Sequence, residues 1–277
     1  MTKGPQRMFQ RMSALFKRAH PVQSQAAPGG IYAPARQVET LDDCYFYHTV
    51  ELPEFGLIEG EWDLRNGVEA YLGNIDPAGM RILEVGTANG YLCFEMERRG
   101  ADVVAYDLSD EYDWDIVPFG GSIDQKLRAE RRKRIRQLNN AWWLTHRLLH
   151  SRAKVVYGTA YTIPEAIGPV DTATFGCILL HLRDPFLALQ RAAVLARQTL
   201  VVTDVMPGWG DETNNHPLTF IPDPANPDMN DSWCYLAPGL VERYLHILGF
   251  PRTAISYHQP LFQGHPAPLY TVTGSRT

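Results

Sequence analysis

Between Arg81 and Asp107 the hydrophobic pattern changes period twice. "RILEV" is a short apolar run suited to a buried strand, and "GTANG" is a glycine-rich turn. "YLCFEMERRG" carries apolar residues at helical spacing and closes on Gly100, and "DVVAYD" is a second buried run. Further strands are expected at "AKVVYG", "DTATFGCILL" and "QTLVVTDV", with a helix at "DPFLALQRAAVLAR" between the last two. Near the end, "LVERYLHILGF" predicts a helix finishing at Gly249, and "TAISYHQ" and "PLYTVTGS" an antiparallel pair on a sheet edge. Alternating strands and helices predict an α/β fold: a doubly wound, mostly parallel sheet with a C-terminal antiparallel hairpin.

Two stretches break the alternation. Residues 110–152 begin with the acidic, aromatic "DEYDWDIVPFGG" and continue as a helix, "DQKLRAERRKRIRQLNNAWWLTHRLL", while residues 205–235 are irregular and rich in Pro, Asn and Asp. Long loops at the C-terminal ends of parallel strands are where such sheets build pockets. Residues 39–74 are expected to form a lid ahead of the first strand, making residues 39–277 one domain. In residues 1–38, Met8, Phe9, Met12, Leu15 and Phe16 fall at helical spacing among Arg7, Arg11, Lys17 and Arg18, followed by the linker "HPVQSQAAPGG". A short surface helix and an organelle transit peptide both fit this basic segment.

The 277 residues are 45% hydrophobic and 21% charged, which suits a globular protein with a substantial core. No run approaches the ~20 apolar residues of a membrane span, and no secretory signal is evident, so a cytoplasmic protein is expected. Cys44, Cys93, Cys177 and Cys234 form no C-x-x-C pair, and His146 and His150 share a helix face without a third ligand, so reduced thiols and no metal are expected. The formal net charge of -5 disfavours a nucleic-acid partner. The basic run "KLRAERRKRIR" is read as a solvated helix face, with an RNA track as the alternative.

Glycines in a strand-to-helix turn let the backbone approach a ligand, and an acid ending the next strand can accept hydrogen bonds from a ribose diol. A nucleoside is implied. The dinucleotide pattern G-x-G-x-x-G fails because Ala88 and Tyr91 stand at its second and third glycine positions. The pattern present is Glu84-x-Gly86-x-Ala88-x-Gly90, with Asp107 following at the next strand end. It resembles motif I and the following acid of class I S-adenosylmethionine-dependent methyltransferases. The resemblance implies a Rossmann-like methyltransferase fold with S-adenosyl-L-methionine as cofactor. The turn, including Thr87, would lie against the methionine part, and Asp107, with Leu108 beside it, would bind the ribose. Glu84 would orient the turn or the ammonium through water; Thr159, Ala160 and Tyr161 would sit at the adenine, and Phe175 and Gly176 beside the cofactor. Ala88 stands where glycine is commoner, which narrows the turn.

"FYHTVELPEFGLIEGEWDLR" and "LLHLRDPFLAL" resemble the group that includes the bacterial tRNA wobble-uridine carboxymethyltransferases, which use carboxy-S-adenosylmethionine. That group holds the extra carboxylate with an upstream lysine and a tyrosine before the histidine. Here Leu180 precedes His181 and no lysine occurs between Glu39 and Arg81, which favours the ordinary cofactor. The expected function is methyl transfer to an oxygen or nitrogen of a small-molecule acceptor. A tRNA-modifying enzyme and a non-catalytic cofactor-binding protein are the alternatives.

Methyl transfer needs alignment and, for a neutral acceptor, a base. His181 and Asp204, both at strand ends, are the catalytic candidates; a helix-capping histidine and a structural carboxylate are their ordinary readings. His48, Trp62, Arg65, His216, Trp233 and Tyr235 are candidate acceptor-binding residues, with Trp209 and Phe220 in the same aromatic set.

Overall fold

In a computed structural model, residues 30–121, 123–207 and 216–277 are described, and Tyr32–Thr277 form one compact unit. The basic segment up to residue 29 lies outside the described residues, as do Trp209, Asp211 and Glu212. Ahead of the main sheet, β1 (Val50–Leu52) and β2 (Gly56–Ile58) pair as a small antiparallel hairpin, followed by β3 (Trp62–Asp63) and the short helix α1 (Val68–Tyr71).

The predicted strand–turn–helix–strand unit is β4 (Arg81–Val85), α2 (Tyr91–Arg98) and β5 (Asp102–Asp107). Next come the long helix α3 (Gln125–Leu148), β6 (Lys154–Tyr157), β7 (Val170–Gly176), α4 (Pro185–Ala193) and β8 (Ala196–Val205). The second insertion contains β9 (Leu218–Phe220) and β10 (Cys234–Leu236), paired antiparallel where the sequence predicts irregular chain. The chain ends with α5 (Pro238–Ile247), β11 (Arg252–His258), β12 (Leu261–Phe262), β13 (His265–Pro266) and β14 (Leu269–Ser275).

The seven-stranded sheet runs β11-β14-β8-β7-β4-β5-β6. Its five strands from β8 to β6 are parallel, and β14 and β11 close the edge antiparallel, as the two C-terminal runs predict. Central parallel strands are covered on both faces, which is why β4 and β5 are nearly continuous apolar runs. Ile82, Leu83, Val103, Val104 and Ala105 are all buried there. Strand order reverses between β4 and β7, so the crevice beyond their C-terminal ends is the topological switch point where ligands bind in open α/β sheets.

Two predicted boundaries move. The strand expected through Leu180 stops at Gly176, because Cys177 turns into the left-handed region (φ 50) and Leu179–His181 form a single helical turn. The helix expected through Arg197 stops at Ala193, because Ala196 already pairs with Val170 of β7. Pairing in the sheet overrides a local helix preference there. The segment predicted as a lid is sewn to the C-terminal edge: β3 pairs with β12, which pairs with β13.

Candidate functional site

The turn after β4 places each member of the motif differently. Gly86 has φ 88, and a Cβ on it would lie 2.5 Å from Ile178. Ala88 carries a side chain at φ 50, a conformation that costs a non-glycine residue about 1 kcal/mol. Thr87 and Asn89 are buried, and Gly90 starts α2 at φ 87. Asp107 locks the turn: its Oδ2 accepts from the Ala88 N–H at 2.8 Å and its Oδ1 from the Leu108 N–H at 2.7 Å. A carboxylate offers about four lone-pair sites, so Asp107 keeps acceptor capacity after both amides are served. Burial pushes its carboxyl up to about 6, against the pull of the two amides.

Glu84 lies beneath the turn. It is buried with Oε2 unpartnered, and burial raises its carboxyl to about 8, with Asp107 adding to the shift and Thr87 opposing it. On the β6 side, Gly158 N–H donates to the Asp107 carbonyl at 2.8 Å, and the Tyr106 hydroxyl donates to the Thr159 carbonyl at 2.9 Å. Tyr161 donates its hydroxyl to Asp115.

These pieces open on a single cavity of about 740 Å³, within the roughly 300–1,000 Å³ of small-molecule pockets. One end is lined by Gly86, Ala88, Asp107, Leu108, Thr159, Ala160, Tyr161 and Gly176, all expected from the sequence. The acceptor capacity left on Asp107, the bare Gly86 backbone and this size fit an adenosyl group.

The other end is aromatic. Tyr45, Tyr47, Trp62, Trp114, Tyr235 and Phe262 line it, with His48 and His181. His181 is half-buried. Its Nδ1 donates to the Asp231 carbonyl at 2.6 Å, which fixes the neutral tautomer with a lone pair on Nε2. Burial lowers its pKa, opposed by Asp231. His48 is buried, and desolvation drops its imidazole to about 4, so it stays neutral.

Other predicted residues stand elsewhere. Asp204 is buried behind the cavity wall, accepting from Val205 N–H at 2.7 Å, and burial lifts its carboxyl to about 7. This placement matches a strand-end structural carboxylate. Arg65 is exposed and spends its guanidinium on Asp63 at 2.7 Å, outside the cavity lining. Trp233 also lies outside the lining: its indole N–H donates to the Asp115 carbonyl at 2.6 Å and Arg183 stacks on its ring, so it fastens the two insertions together. His216 and Phe220 are exposed. No group of three or more His, Cys, Asp or Glu among the described residues could hold a metal.

The basic run is a largely exposed helix face, with Lys126, Arg132, Lys133, Arg134 and Arg136 open to solvent, and part of it is ion-paired. Arg128 and Arg132 pair with Asp113, Arg136 with Asp110, and Arg131 with Asp231. Asp110 and Asp113 belong to the same insertion as the helix, and of these pairs only Arg131–Asp231 joins the two insertions. Three features escaped sequence reasoning: Asn89, which bonds the main chain of His48, the Trp114 wall, and the α3 face made by Arg131, Arg134, Ile135, Leu138 and Asn139. The last carries a readable signal, positions i, i+3, i+4, i+7 and i+8 of a helix.

No protein-family model matches the sequence. No curated protein matches it. Solved structures are similar to it: a SAM-dependent methyltransferase from Methanosarcina mazei, at 12% identity and TM-score 0.50, over 77% of this chain and 98% of that one. An O-methyltransferase family protein from Burkholderia thailandensis aligns at 12% identity and TM-score 0.50, over 77% of this chain and 56% of that one. Magnesium protoporphyrin IX methyltransferase from Synechocystis PCC 6803, solved with bound SAH, aligns at 12% identity and TM-score 0.48, over 77% and 82%. The strand order and the two alignments at TM-score 0.50 establish the fold alone: a Rossmann-like methyltransferase fold.

Proposed function

We propose that the protein transfers a methyl group from S-adenosyl-L-methionine to an oxygen or nitrogen of a small molecule. The observation that carries this reading is the single cavity that joins the Asp107 end to the aromatic chamber around His181. When bound, the cofactor supplies a methyl group on a sulfonium. Asp107 holds the ribose hydroxyls, Gly86 to Gly90 give the methionine part close backbone approach, and Thr159, Ala160 and Tyr161 border the adenine. Glu84 supports the turn from below, and Gly176, whose missing side chain makes room for Tyr71, borders the cofactor. Leu180 presents an apolar surface to the cavity next to His181, which supports the ordinary cofactor over its carboxylated form.

His181 acts as the base. Its Nε2 takes the acceptor's proton while the Asp231 carbonyl holds Nδ1–H. Trp114, edge-on to His181 at 5.6 Å, and Tyr235 hold a flat acceptor and exclude water. His48 and Trp62 form the roof, linked by a β-bridge. The residues 39–74 act as the lid of a domain covering 39–277. A tRNA substrate is disfavoured because the basic run is largely committed to internal ion pairs. No helix among the described residues is long and apolar enough to cross a membrane, and we place the protein in the cytoplasm.

Titration calorimetry with S-adenosylmethionine and S-adenosylhomocysteine tests the reading. Micromolar binding of both is expected, and absence of binding by either overturns it. Native mass spectrometry of the purified protein gives the mass of any retained cofactor and shows an extra carboxylate directly.

A further inference from the structure

Arg131 and Arg134 enter the cavity wall without being fully used by it. They stand three residues apart on α3, which makes them neighbours on the helix surface. Each lies over an aromatic ring: Arg131 is 5.6 Å from the Trp114 centroid and Arg134 is 3.5 Å from that of Tyr45. A guanidinium stacked on a ring keeps its planar fork of N–H donors available at the edge. Arg131 uses Nη2 on Asn230 at 3.0 Å and Asp231 at 3.1 Å, but its Nε is buried and donates to nothing. A buried donor without an acceptor is costly unless something arrives to accept.

Arg134 makes no ion pair among the described residues. Glu61 shares the wall, but its carboxylate accepts from the Tyr45 hydroxyl. Arg131 is shared with Asp231, whereas among the described residues Arg134 has no carboxylate within ion-pair distance, Glu61 included, so its fork is the one left to meet an anion. These arginines lie five and eight residues from Asn139, whose amide donates to the Leu108 carbonyl beside Asp107. At about 1.5 Å per residue, that puts them roughly 8–12 Å along the helix from the adenosyl end.

We infer that the acceptor is a planar small molecule bearing a carboxylate, held by the forks of Arg131 and Arg134 while its ring lies on the Tyr45 and Trp114 walls. This rests on the methyltransferase reading and names its substrate class. Arg134 sets specificity; Arg131 shares the anion and positions Asp231, whose carbonyl holds His181.

The test uses the protein saturated with S-adenosylhomocysteine and matched pairs of hydroxylated aromatic carboxylic acids and their primary amides, read by saturation-transfer NMR and titration calorimetry. The acids are expected to bind about ten-fold or more tighter than the amides. Arg134→Gln should erase that preference, and Arg134→Lys should keep part of it, with affinity for S-adenosylhomocysteine unchanged in both. Equal binding of acid and amide, binding of neither, or a preference that survives Arg134→Gln overturns the inference. An Arg134-dependent preference for carboxy-S-adenosylmethionine over the ordinary cofactor also overturns it, by moving the carboxylate to the cofactor. Failure of the methyltransferase reading shows separately, as failure to bind S-adenosylhomocysteine.

Discussion

The side-chain amide of Asn89 and the main chain of His48 hold each other in both directions. The His48 N–H donates to Asn89 Oδ1 at 2.7 Å, and Asn89 Nδ2 donates to the His48 carbonyl at 3.2 Å. The glycine turn and the lid are thereby one unit, though 41 residues separate them. Asn89→Ala would leave a buried N–H and a buried C=O without partners, at a cost of about 2–4 kcal/mol. Chemical denaturation measures this, and Asn89→Asp, which keeps only the acceptor, should fall between. An Asn89→Ala protein as stable as the parent would show that the lid does not depend on this link.

Asp107 does two things at once, which separates two variants. Asp107→Asn keeps the size and one of the two amide-accepting oxygens, so cofactor binding should weaken by about 1.5–3 kcal/mol while the turn loses one of its two bonds rather than both. Asp107→Ala should lose the same affinity and also loosen the turn at Ala88, lowering the melting temperature. Calorimetry and thermal melts on both proteins read the two effects apart. Unchanged cofactor affinity in a folded Asp107→Asn protein removes the ribose assignment.

The sheet and the Asp107 end of the cavity were legible because their signals are local. Fully buried parallel strands write continuous apolar runs, and the turn from Gly86 to Gly90 with Asp107 spans one βαβ unit. The aromatic end was legible only in part, because Tyr45, Trp114, Arg134 and Phe262 join Tyr235 from separate segments and meet only in three dimensions. Charge was legible in part: the run is largely exposed, as its composition predicts, but the pairing of Arg131 with Asp231, 100 residues away, is invisible in the sequence. Arg65 failed the other way, since its carboxylate partner Asp63 is two residues off and keeps it at the surface.

Glu84 should leave a signature in stability. Burial raises its carboxyl to about 8 from the ordinary 4.5, so between those values the folded protein holds a proton that the unfolded chain has released. Stability from this group is complete below the lower value and is lost as pH rises towards the upper one. Asp204 acts in the same sense only up to about 7, and His48, lowered to about 4, acts in the opposite sense only below 6.5. From pH 7 to 8 Glu84 therefore dominates, with a loss on the order of 1 kcal/mol. Denaturant melts at the two pH values should show this slope in the parent and not in Glu84→Gln. An equal slope in both would assign it to another group.

RNA binding offers a salt-dependent check on the basic helix. Because Arg128, Arg131, Arg132 and Arg136 are paired with insertion carboxylates, few cations remain to displace counterions from phosphates. No salt-sensitive binding to an anticodon stem-loop is expected at physiological ionic strength. Micromolar affinity with a steep salt slope, abolished by neutralising Arg131, Arg132, Lys133 and Arg134, would mean that the substrate is RNA.

His181 carries the sharpest prediction about chemistry. Its Nδ1 is committed to the Asp231 carbonyl, and burial holds its pKa below the ordinary 6.5, so the free base is present at neutral pH. Turnover of a carboxylate acceptor should rise with pH through that lowered value and level off before neutrality. His181→Asn can keep a bond to the carbonyl but has no basic nitrogen, so kcat should fall about 10²–10⁴-fold and the pH dependence should vanish. Cofactor affinity should not change, because His181 stands at the aromatic end of the cavity. A merely structural histidine would instead lower the melting temperature and leave the pH profile of the remaining activity intact. An acceptor already reactive as its free base would also keep turnover in His181→Asn, and in that case alignment alone drives the transfer.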